Sequence, residues 1–209
     1  MKGIDISSYQ KNINFDYVKN TGIQVVYIKA TEGLSYIDSM LKTYYSNART
    51  AGLQVGFYHF LRANDAQEEA KHFLNAVSGF DAQCKYCIDC ETTEGQSAAK
   101  ISLRVREFAD YLISQGKQVC LYTNESFYNT HLDGTVKNLP LWVAHYGVAA
   151  PGLTGWAGFQ YSENGSVSGI AGNVDLNTFT NDIFINGWIK VGTLWYYYRD
   201  GYLIKNGWV

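Results

Sequence analysis

The sequence predicts an α/β barrel that begins with alternating strands and helices and ends in strands joined without helices. Short apolar segments typical of strands recur along the chain, and helical spacing fills several of the intervals before residue 135. After that point only short loops separate the strand segments. Eight strands favour a closed barrel, because closure leaves no unpaired sheet edge. The predicted strands are residues 2–7, 24–31, 54–60, 85–91, 117–123, 141–146, 157–162 and 174–179.

Three of the segments between these strands carry apolar residues at helical spacing. Asp65 is placed to cap one helix, with Glu68 three residues further on and Gly79 at its end. Glycine also ends the other two, at Gly52 and Gly116. The faces predicted to be buried are Met40, Tyr44, Ala48 and Ala51, then Ala66, Ala70, Phe73, Leu74 and Val77, then Ile101, Val105, Phe108 and Leu112.

Composition limits the classes of ligand. With 209 residues, of which 46% are hydrophobic, the chain is long enough to bury one large core. Only 17% of the residues are charged and the formal net charge is -2, so nucleic acid is not an expected partner. Aromatic residues make up 15% of the chain, including 17 Tyr and 5 Trp. This excess suits a carbohydrate ligand, because ring faces pack on sugar C–H groups and Tyr hydroxyls form hydrogen bonds, although Tyr also fills ordinary surfaces and cores.

The sequence gives no sign of membrane insertion. No apolar run reaches the roughly 18 residues needed to cross a bilayer. The first residues, MKGIDISSYQ, pass into an alternating strand without the apolar stretch of a signal peptide. We therefore expect synthesis in the cytoplasm without a visible signal peptide.

The cysteines raise the question of a metal site, because Cys84, Cys87 and Cys90 are spaced three positions apart. Side chains alternate faces along a strand, so Cys87 and Cys90 are predicted to point to opposite sides and cannot share one ion. We therefore expect no metal or other cofactor. Together with Cys120, these residues are predicted to be reduced thiols of the core.

Acidic side chains lie where the strands approach the predicted mouth of the barrel. Asp5 is near the end of the first strand, Asp89 and Glu91 end the fourth, and Asp175 is on the last, next to the first if the barrel closes. In parallel α/β barrels the C-terminal ends of the strands carry the active site. Strand alternation places Asp89 and Glu91 on one face together with Cys87, directed into the barrel mouth.

Single acids at strand ends are mostly ordinary ion-paired residues. Here Lys29 is the evident cation near the strand ends, as a partner of Glu32 or Asp5, and Glu32 either pairs with it or lines the groove. Crowded, desolvated carboxylates acquire raised and unequal pKa values. Glycoside hydrolysis uses such a set, because one carboxylic acid protonates the glycosidic oxygen while another stabilises positive charge or positions a nucleophile. The residues themselves therefore favour a glycosidase.

Eight motifs follow one another along residues 2–185. They are GIDISSYQ at 3–10, IKATEG at 28–33, GFYHF at 56–60, IDCE at 88–91, LYTN at 121–124, LWVAHY at 141–146, FQYS at 159–162 and VDLN at 174–177. In this order they closely resemble the Chalaropsis-type lysozymes, glycoside hydrolase family 25, which are N-acetylmuramidases of bacteria, phages and fungi. The resemblance implies an irregular, TIM-like barrel of eight strands with about five helices. The corresponding catalytic domain is residues 1–185.

The resemblance also implies roles for the acids. Glu91, in the D-x-E signature, resembles the general acid, and Asp89 resembles its partner. Asp5 and Asp175 resemble the remaining acids of the site, which steer water or stabilise the transition state. The spacing leaves inversion, retention and a substrate-assisted route open, since carboxylate separations in space decide between the first two. We favour the substrate-assisted route, in which the 2-acetamido oxygen of the substrate is the nucleophile and Asp89 orients it.

Further positions match those that line the sugar groove in the family. The family commonly has Trp where this chain has Phe159, which affects one stacking contact. The predicted groove residues are Tyr58, Tyr122, Trp142 and Tyr146.

These inferences predict a peptidoglycan hydrolase, a lysozyme that cleaves the β-1,4 bond between N-acetylmuramic acid and N-acetylglucosamine. Bacterial peptidoglycan is the expected partner, and the cell wall is the expected place of action. A phage endolysin is favoured over a bacterial autolysin because no leader is visible. The alternatives are a non-catalytic cell-wall-binding protein that kept the groove, and an endo-N-acetylglucosaminidase.

Residues 186–209 form a separate predicted segment, in which Gly-Trp at 187–188 recurs at 207–208. It resembles one unit of the choline-binding type of cell-wall repeat, in which aromatic rings cage a quaternary ammonium group. Such units normally stack in arrays of about three or more. A truncated array is therefore the favoured interpretation, with a hairpin packed on the barrel or a self-association surface as alternatives. The candidate cage members are Trp188, Trp195 and Tyr197.

Overall fold

The computed structural model describes residues 1–191 and 193–204. The barrel sheet contains β1 Lys2–Ile6, β2 Val25–Glu32, β3 Tyr36–Ile37, β4 Gln54–Phe60, β5 Tyr86–Asp89, β6 Val119–Asn124, β7 Leu141–Ala144, β8 Gly158–Gly165 and β9 Val174–Phe179. The α-helices are α1 Phe15–Asn20, α2 Leu41–Thr50, α3 Ala66–Ala76, α4 Ala98–Ser114 and α5 Glu125–His131. A small C-terminal sheet contains β10 Gly187–Val191, β11 Leu194–Arg199 and β12 Tyr202–Leu203.

The predicted barrel is confirmed. Its eight predicted strands are β1, β2 and β4 to β9, and β1 closes the ring by pairing with β2 on one side and β9 on the other. Neighbouring strands are parallel except around β9, which is antiparallel to both β1 and β8. The chain passes from β7 to β8 and from β8 to β9 without an α-helix, as predicted. The short strand β3 is an addition that pairs with β2.

The three helices predicted from spacing are present as α2, α3 and α4. Asp65 caps α3, because its carboxylate accepts the backbone N–H groups of Gln67 and Glu68, both at 3.0 Å. Spacing did not predict α1 and α5, which have six and seven residues and are capped by Asn14 and Asn124. Two turns or fewer give too few repeats for a periodic signal. None of the helices in the described part of the chain is long and apolar enough to span a bilayer.

Aromatic rings fill the inside of the barrel. Tyr27 packs against Trp142 and Phe179 with tilted rings, whose centroids are 4.7 and 5.6 Å away, and all three side chains are almost fully buried. Gly56 on the neighbouring strand makes room for Tyr27, because a Cβ atom there would lie 2.3 Å from its ring. Gly158 does the same for Trp142 and Phe179. Glycine on the strands is therefore part of how the interior packs.

The outside of the barrel packs against the helices. Tyr86, Ile88 and Cys90 join the large cluster that includes the apolar faces of α2, α3 and α4. Cys87, on the other face of the same strand, joins the interior cluster with Tyr27. Cys87 and Cys90 therefore lie on opposite faces, as strand alternation predicted.

The C-terminal sheet packs on the end of the barrel where the parallel strands begin. Ile189 and Tyr198 contact the main core. Gln118, just before β6, exchanges two hydrogen bonds with the backbone of Asn186. The hairpin expected from the repeat thus lies directly on the barrel, which is the second of the interpretations given for this segment. The recurrence of Gly-Trp at 207–208 lies outside the described residues.

Candidate active site

The predicted acids line one cavity of about 330 Å³ at the mouth of the barrel. Asp5 comes from β1, Asp89 from the end of β5, and Glu91 from two residues beyond it. Asp175 is the second residue of β9. Because β9 runs antiparallel to its neighbours, its N-terminal end meets the C-terminal ends of the parallel strands. Acids distant in sequence are thereby brought to the same mouth.

Asp5 is held in a fixed orientation by two amide side chains. Its Oδ2 accepts hydrogen bonds from Nδ2 of Asn177 at 2.7 Å and from Nε2 of Gln160 at 2.9 Å. Burial raises the pKa of Asp5, and the hydrogen bonds from Asn177 and Gln160 oppose that rise without cancelling it. Asp5 is therefore both a fixed acceptor and a group with an elevated affinity for a proton.

Asp175 is the direct cross-strand neighbour of Asp5. Burial, followed by the negative charge of Asp5 and a hydrogen bond with it, raises the pKa of Asp175 to about 8. Two carboxylates this close do not both ionise readily. The pair therefore retains a proton at neutral pH.

Asp89 lies deeper than Glu91. Asp89 is 5% exposed, and within the described residues its Oδ1 has no hydrogen-bond partner. Burial, then the charge of Glu91, raises the pKa of Asp89 well above its ordinary value, although Lys29 lowers it. Glu91 is half-buried, and burial followed by the negative charge of Asp5 raises its pKa. The positive charge of Lys29 lowers the pKa of Glu91, as it does that of Asp89. All four acids thus have raised pKa values, and what distinguishes Glu91 from Asp5 and Asp89 is its greater access to solvent.

Lys29 is the cation among the described residues that line the cavity. Its Nζ lies 2.6 Å from Oε2 of Glu32, so Glu32 is its partner and does not line the cavity. Arg62 binds the other oxygen of Glu32 and also contacts Glu94 at 2.9 Å. This chain of ion pairs holds Lys29 at the edge of the acids, where its charge partly offsets theirs.

The predicted groove residues Tyr58, Tyr122, Trp142 and Tyr146 all line the same cavity. Tyr146 is 41% exposed, whereas Trp142 is 2% exposed and donates its indole N–H to Oδ1 of Asn177 at 2.8 Å. Trp142 therefore forms part of the cavity floor, and Tyr146 is the more accessible ring for a sugar.

Sequence reasoning missed Gln160, Asn177, Phe60 and Glu163. Oε1 of Gln160 accepts the hydroxyl groups of Tyr122 and Tyr146, at 2.8 and 2.6 Å, while its amide nitrogen donates to Asp5. Strand alternation in the FQYS motif offers a signal for Gln160, since Phe159 faces outward and packs with Leu141 and Val143. The change from Trp to Phe at position 159 therefore lies outside the cavity.

The comparisons with known proteins agree with this geometry. The model of the glycosyl hydrolases family 25 matches residues 4–170. The chain is 53% identical, over 91% of its length, to the autolytic lysozyme of Clostridium acetobutylicum, and spans 59% of that protein. It is 30% identical to the N,O-diacetylmuramidase of a Chalaropsis species, covering 84% of this chain and 96% of that protein.

The fold also matches a solved structure. The bacterial lysozyme from Streptomyces coelicolor superposes with a TM-score of 0.77 at 34% identity, covering 86% of this chain and 91% of that one. The family resemblance of the sequence motifs is therefore confirmed. This chain belongs to the glycosyl hydrolases family 25.

Proposed function

We propose that this chain is a peptidoglycan hydrolase, a muramidase that cleaves the β-1,4 bond between N-acetylmuramic acid and N-acetylglucosamine. The observation that carries the proposal is the convergence of four carboxylates with raised pKa values in one cavity lined by aromatic rings. Glycoside hydrolysis requires a carboxylic acid that keeps its proton near a second carboxyl group. Family membership and similarity to an autolytic lysozyme support the wall of bacteria as the place of action.

Glu91 is the proposed general acid. Its partial exposure lets its carboxyl group reach a glycosidic oxygen, and burial together with the charge of Asp5 favours the protonated form. The hydrogen of Glu91 passes to the glycosidic oxygen while the bond between that oxygen and the anomeric carbon breaks. Water later adds to the anomeric carbon and returns a proton to Glu91.

Asp89 is the proposed partner of the substrate's 2-acetamido group. Its Oδ1 has no hydrogen-bond partner in the described structure, which leaves this oxygen free to accept an amide N–H. In this step the acetamido oxygen forms a bond to the anomeric carbon, and Asp89 stabilises the resulting oxazolinium ion. The attack of water then opens that ring and restores the acetamido group.

Asp5 and Asp175 are proposed to share a proton and to steer the attacking water. Their direct cross-strand pairing supports this role, because one proton held between them leaves one negative charge beside the reacting centre. Tyr58, Tyr122, Trp142 and Tyr146 form the proposed walls and floor for the sugar rings. The exposed Trp188 and Trp195 of the C-terminal sheet support a second contact with a cell-wall ligand.

A turbidity assay on purified cell walls tests the proposal. The wild type is expected to clear the suspension, and Glu91→Gln is expected to lose roughly a hundredfold or more of that rate. Equal clearing by both proteins would remove Glu91 from the mechanism, and no clearing by either would favour a non-catalytic wall-binding protein. Mass spectrometry and reducing-end analysis of the released fragments should give N-acetylmuramic acid ends. N-acetylglucosamine ends would instead identify an endo-N-acetylglucosaminidase.

A further inference from the structure

Glu91 lies on a loop whose middle is tied to a neighbouring loop of the barrel mouth. Residues 90–97 connect β5 to α4 and are called the acid loop. The carboxyl group of Glu91 has no hydrogen-bond partner among the described residues. Its placement therefore depends on how the backbone of the acid loop is held.

Glu94, three residues after Glu91, joins the acid loop to the loop that follows β4. Its Oε1 accepts a hydrogen bond from Nη1 of Arg62 at 2.9 Å, and its Oε2 accepts the backbone N–H of Ala63 at 2.7 Å. Both oxygens of one carboxylate are thus bound by the same two-residue segment. A charge-assisted contact at two points fixes orientation as well as distance.

The backbone of Glu94 needs these contacts. Its φ is +44°, in the left-handed region that is unfavourable for residues other than glycine. Such a conformation persists where the surrounding contacts hold it in place. The bonds to Arg62 and Ala63 therefore help to maintain a turn in the acid loop.

Arg62 is itself fixed from three directions. Its Nε donates to Oε1 of Glu32 at 2.9 Å, and its guanidinium group lies over the ring of Phe60, 4.5 Å from the centroid. Its backbone N–H donates to Oε2 of Glu69 at 2.9 Å, and Glu69 is fully buried. Because Phe60 lines the cavity that contains the acids, Arg62 links the acid loop to the wall of that cavity.

The two ends of the acid loop have anchors of their own. The backbone N–H of Cys90 donates to the carbonyl oxygen of Tyr122 at 3.0 Å. Near the other end, Oε1 of Gln96 accepts a hydrogen bond from Nη1 of Arg104 at 2.8 Å. The contacts of Glu94 lie between these anchors and so restrict the middle of the loop.

We propose that Arg62 and Glu94 are positioning residues for Glu91. Their ion pair fixes the acid loop so that the carboxyl group of Glu91 stays within reach of the glycosidic oxygen that it protonates. This inference rests on the proposed function, because it takes Glu91 as the general acid. An ion pair that served the fold alone would affect all substrates equally, whatever their leaving group.

Two substrates separate positioning of the acid from a general effect on the fold. Soluble peptidoglycan fragments need a proton on the leaving oxygen, whereas a nitrophenyl glycoside does not. Glu94→Ala should lower kcat on the fragments roughly three- to tenfold, with KM changed less than about twofold. Its rate on the nitrophenyl glycoside should fall less than about twofold. Glu68→Ala breaks the exposed ion pair with Lys71 and is the matched control, with no change expected on either substrate.

A double-mutant cycle assigns the effect to the pair. In the Arg62→Met background, Glu94→Ala should lower kcat on the fragments by less than about half the factor that it does in the wild type. Thermal unfolding checks that the variants fold. If Glu94→Ala does not fold, Glu94→Gln keeps the shape of the side chain, removes its charge and decides the outcome on the same two substrates.

Three outcomes would overturn the proposal: equal losses on the two substrates, an unchanged kcat for Glu94→Ala, or the same loss in both backgrounds. Glu91→Gln is measured beside these variants. If it loses activity on the fragments while Glu94→Ala does not, the positioning role fails and the proposed hydrolysis stands. If Glu91→Gln keeps full activity, the proposed general acid fails and the positioning role fails with it.

Discussion

Asp5 and Asp175 face each other directly across the antiparallel pair of β1 and β9, although 170 positions of sequence separate them. Opposed residues in such a pair have Cα atoms about 4.5–5.5 Å apart, so their carboxyl groups interact strongly. The pKa of Asp175 is about 8, from burial first and the charge of Asp5 second. The closure of the barrel by β9 therefore creates a proton-holding pair within the mouth of the barrel.

Asp175→Asn is expected to stabilise the fold at neutral pH. The ordinary pKa is 3.8 and the folded value is about 8, so between these values the unfolded chain releases a proton that the folded chain keeps. The free energy of unfolding therefore falls as pH rises through this window, and above it the wild type is destabilised by the full cost of ionising Asp175 in the folded state. Asn cannot ionise and so avoids this cost, which is about 1–2 kcal/mol after allowance for solvent screening of a half-exposed group.

Thermal unfolding between pH 4 and 8 measures this effect. The variant should melt at a higher temperature than the wild type at pH 7, and the two curves should converge near pH 4. A variant that is less stable at pH 7, or a difference that does not change with pH, would contradict the paired-carboxyl description.

Lys29→Met is expected to move the pH dependence of hydrolysis upward. The positive charge of Lys29 lowers the pKa values of both Asp89 and Glu91. Removing it raises both, so the limbs of the kcat/KM profile should shift to higher pH, by roughly one unit. Lys71→Met alters a surface ion pair with Glu68 and is the matched control. An unshifted profile for Lys29→Met would mean that its charge does not reach the reacting acids.

Gln160→Glu tests the hydrogen-bond network around Asp5. The substitution keeps the shape of the side chain but replaces the amide that donates to Asp5 with a carboxylate. We expect kcat to fall about 10- to 100-fold with a smaller change in KM, because Asp5 loses a donor and gains a like charge. Gln67→Glu, at an exposed position of α3, is the control. A change confined to KM would instead indicate a role in sugar binding through Tyr122 and Tyr146.

Gly56→Ala is expected to lower stability by about 1–3 kcal/mol, because the added methyl group would overlap the ring of Tyr27 inside a packed barrel. Denaturant unfolding measures the change. Gly134→Ala adds a methyl group where no atom lies within 4 Å, so it should have little effect. Equal stability of the two variants would show that the barrel interior accommodates the added methyl group beside Tyr27 without loss of packing.

The sequence predicted the strands and the convergence of the acids well, because both follow from local patterns. Alternation sets the faces of Cys87, Asp89 and Cys90, and the C-terminal ends of parallel strands share one mouth. Helices α1 and α5 escaped prediction because they are short. The partner of Lys29 was left open between Glu32 and Asp5, and only the folded geometry selects Glu32.

The hydrogen-bond network was beyond sequence reasoning for a different reason. Gln160 and Asn177 reach Asp5 across 155 and 172 positions of sequence, through the register of strands that meet only when the barrel closes. Crowding of the acids predicted raised pKa values, and burial raises the pKa of all four. The degree of burial of each carboxyl group depends on that same closure.

Hydrolysis of a synthetic glycoside with a nitrophenol leaving group, compared with hydrolysis of peptidoglycan, tests the proton donation by Glu91 most directly. A nitrophenolate leaves without protonation, so Glu91→Gln should lose less than about tenfold in rate on it while losing roughly a hundredfold or more on peptidoglycan. Asp89→Asn should be impaired on both substrates, because the acetamido group needs orientation in each. A comparable loss for Glu91→Gln on the two substrates would contradict its role as the general acid.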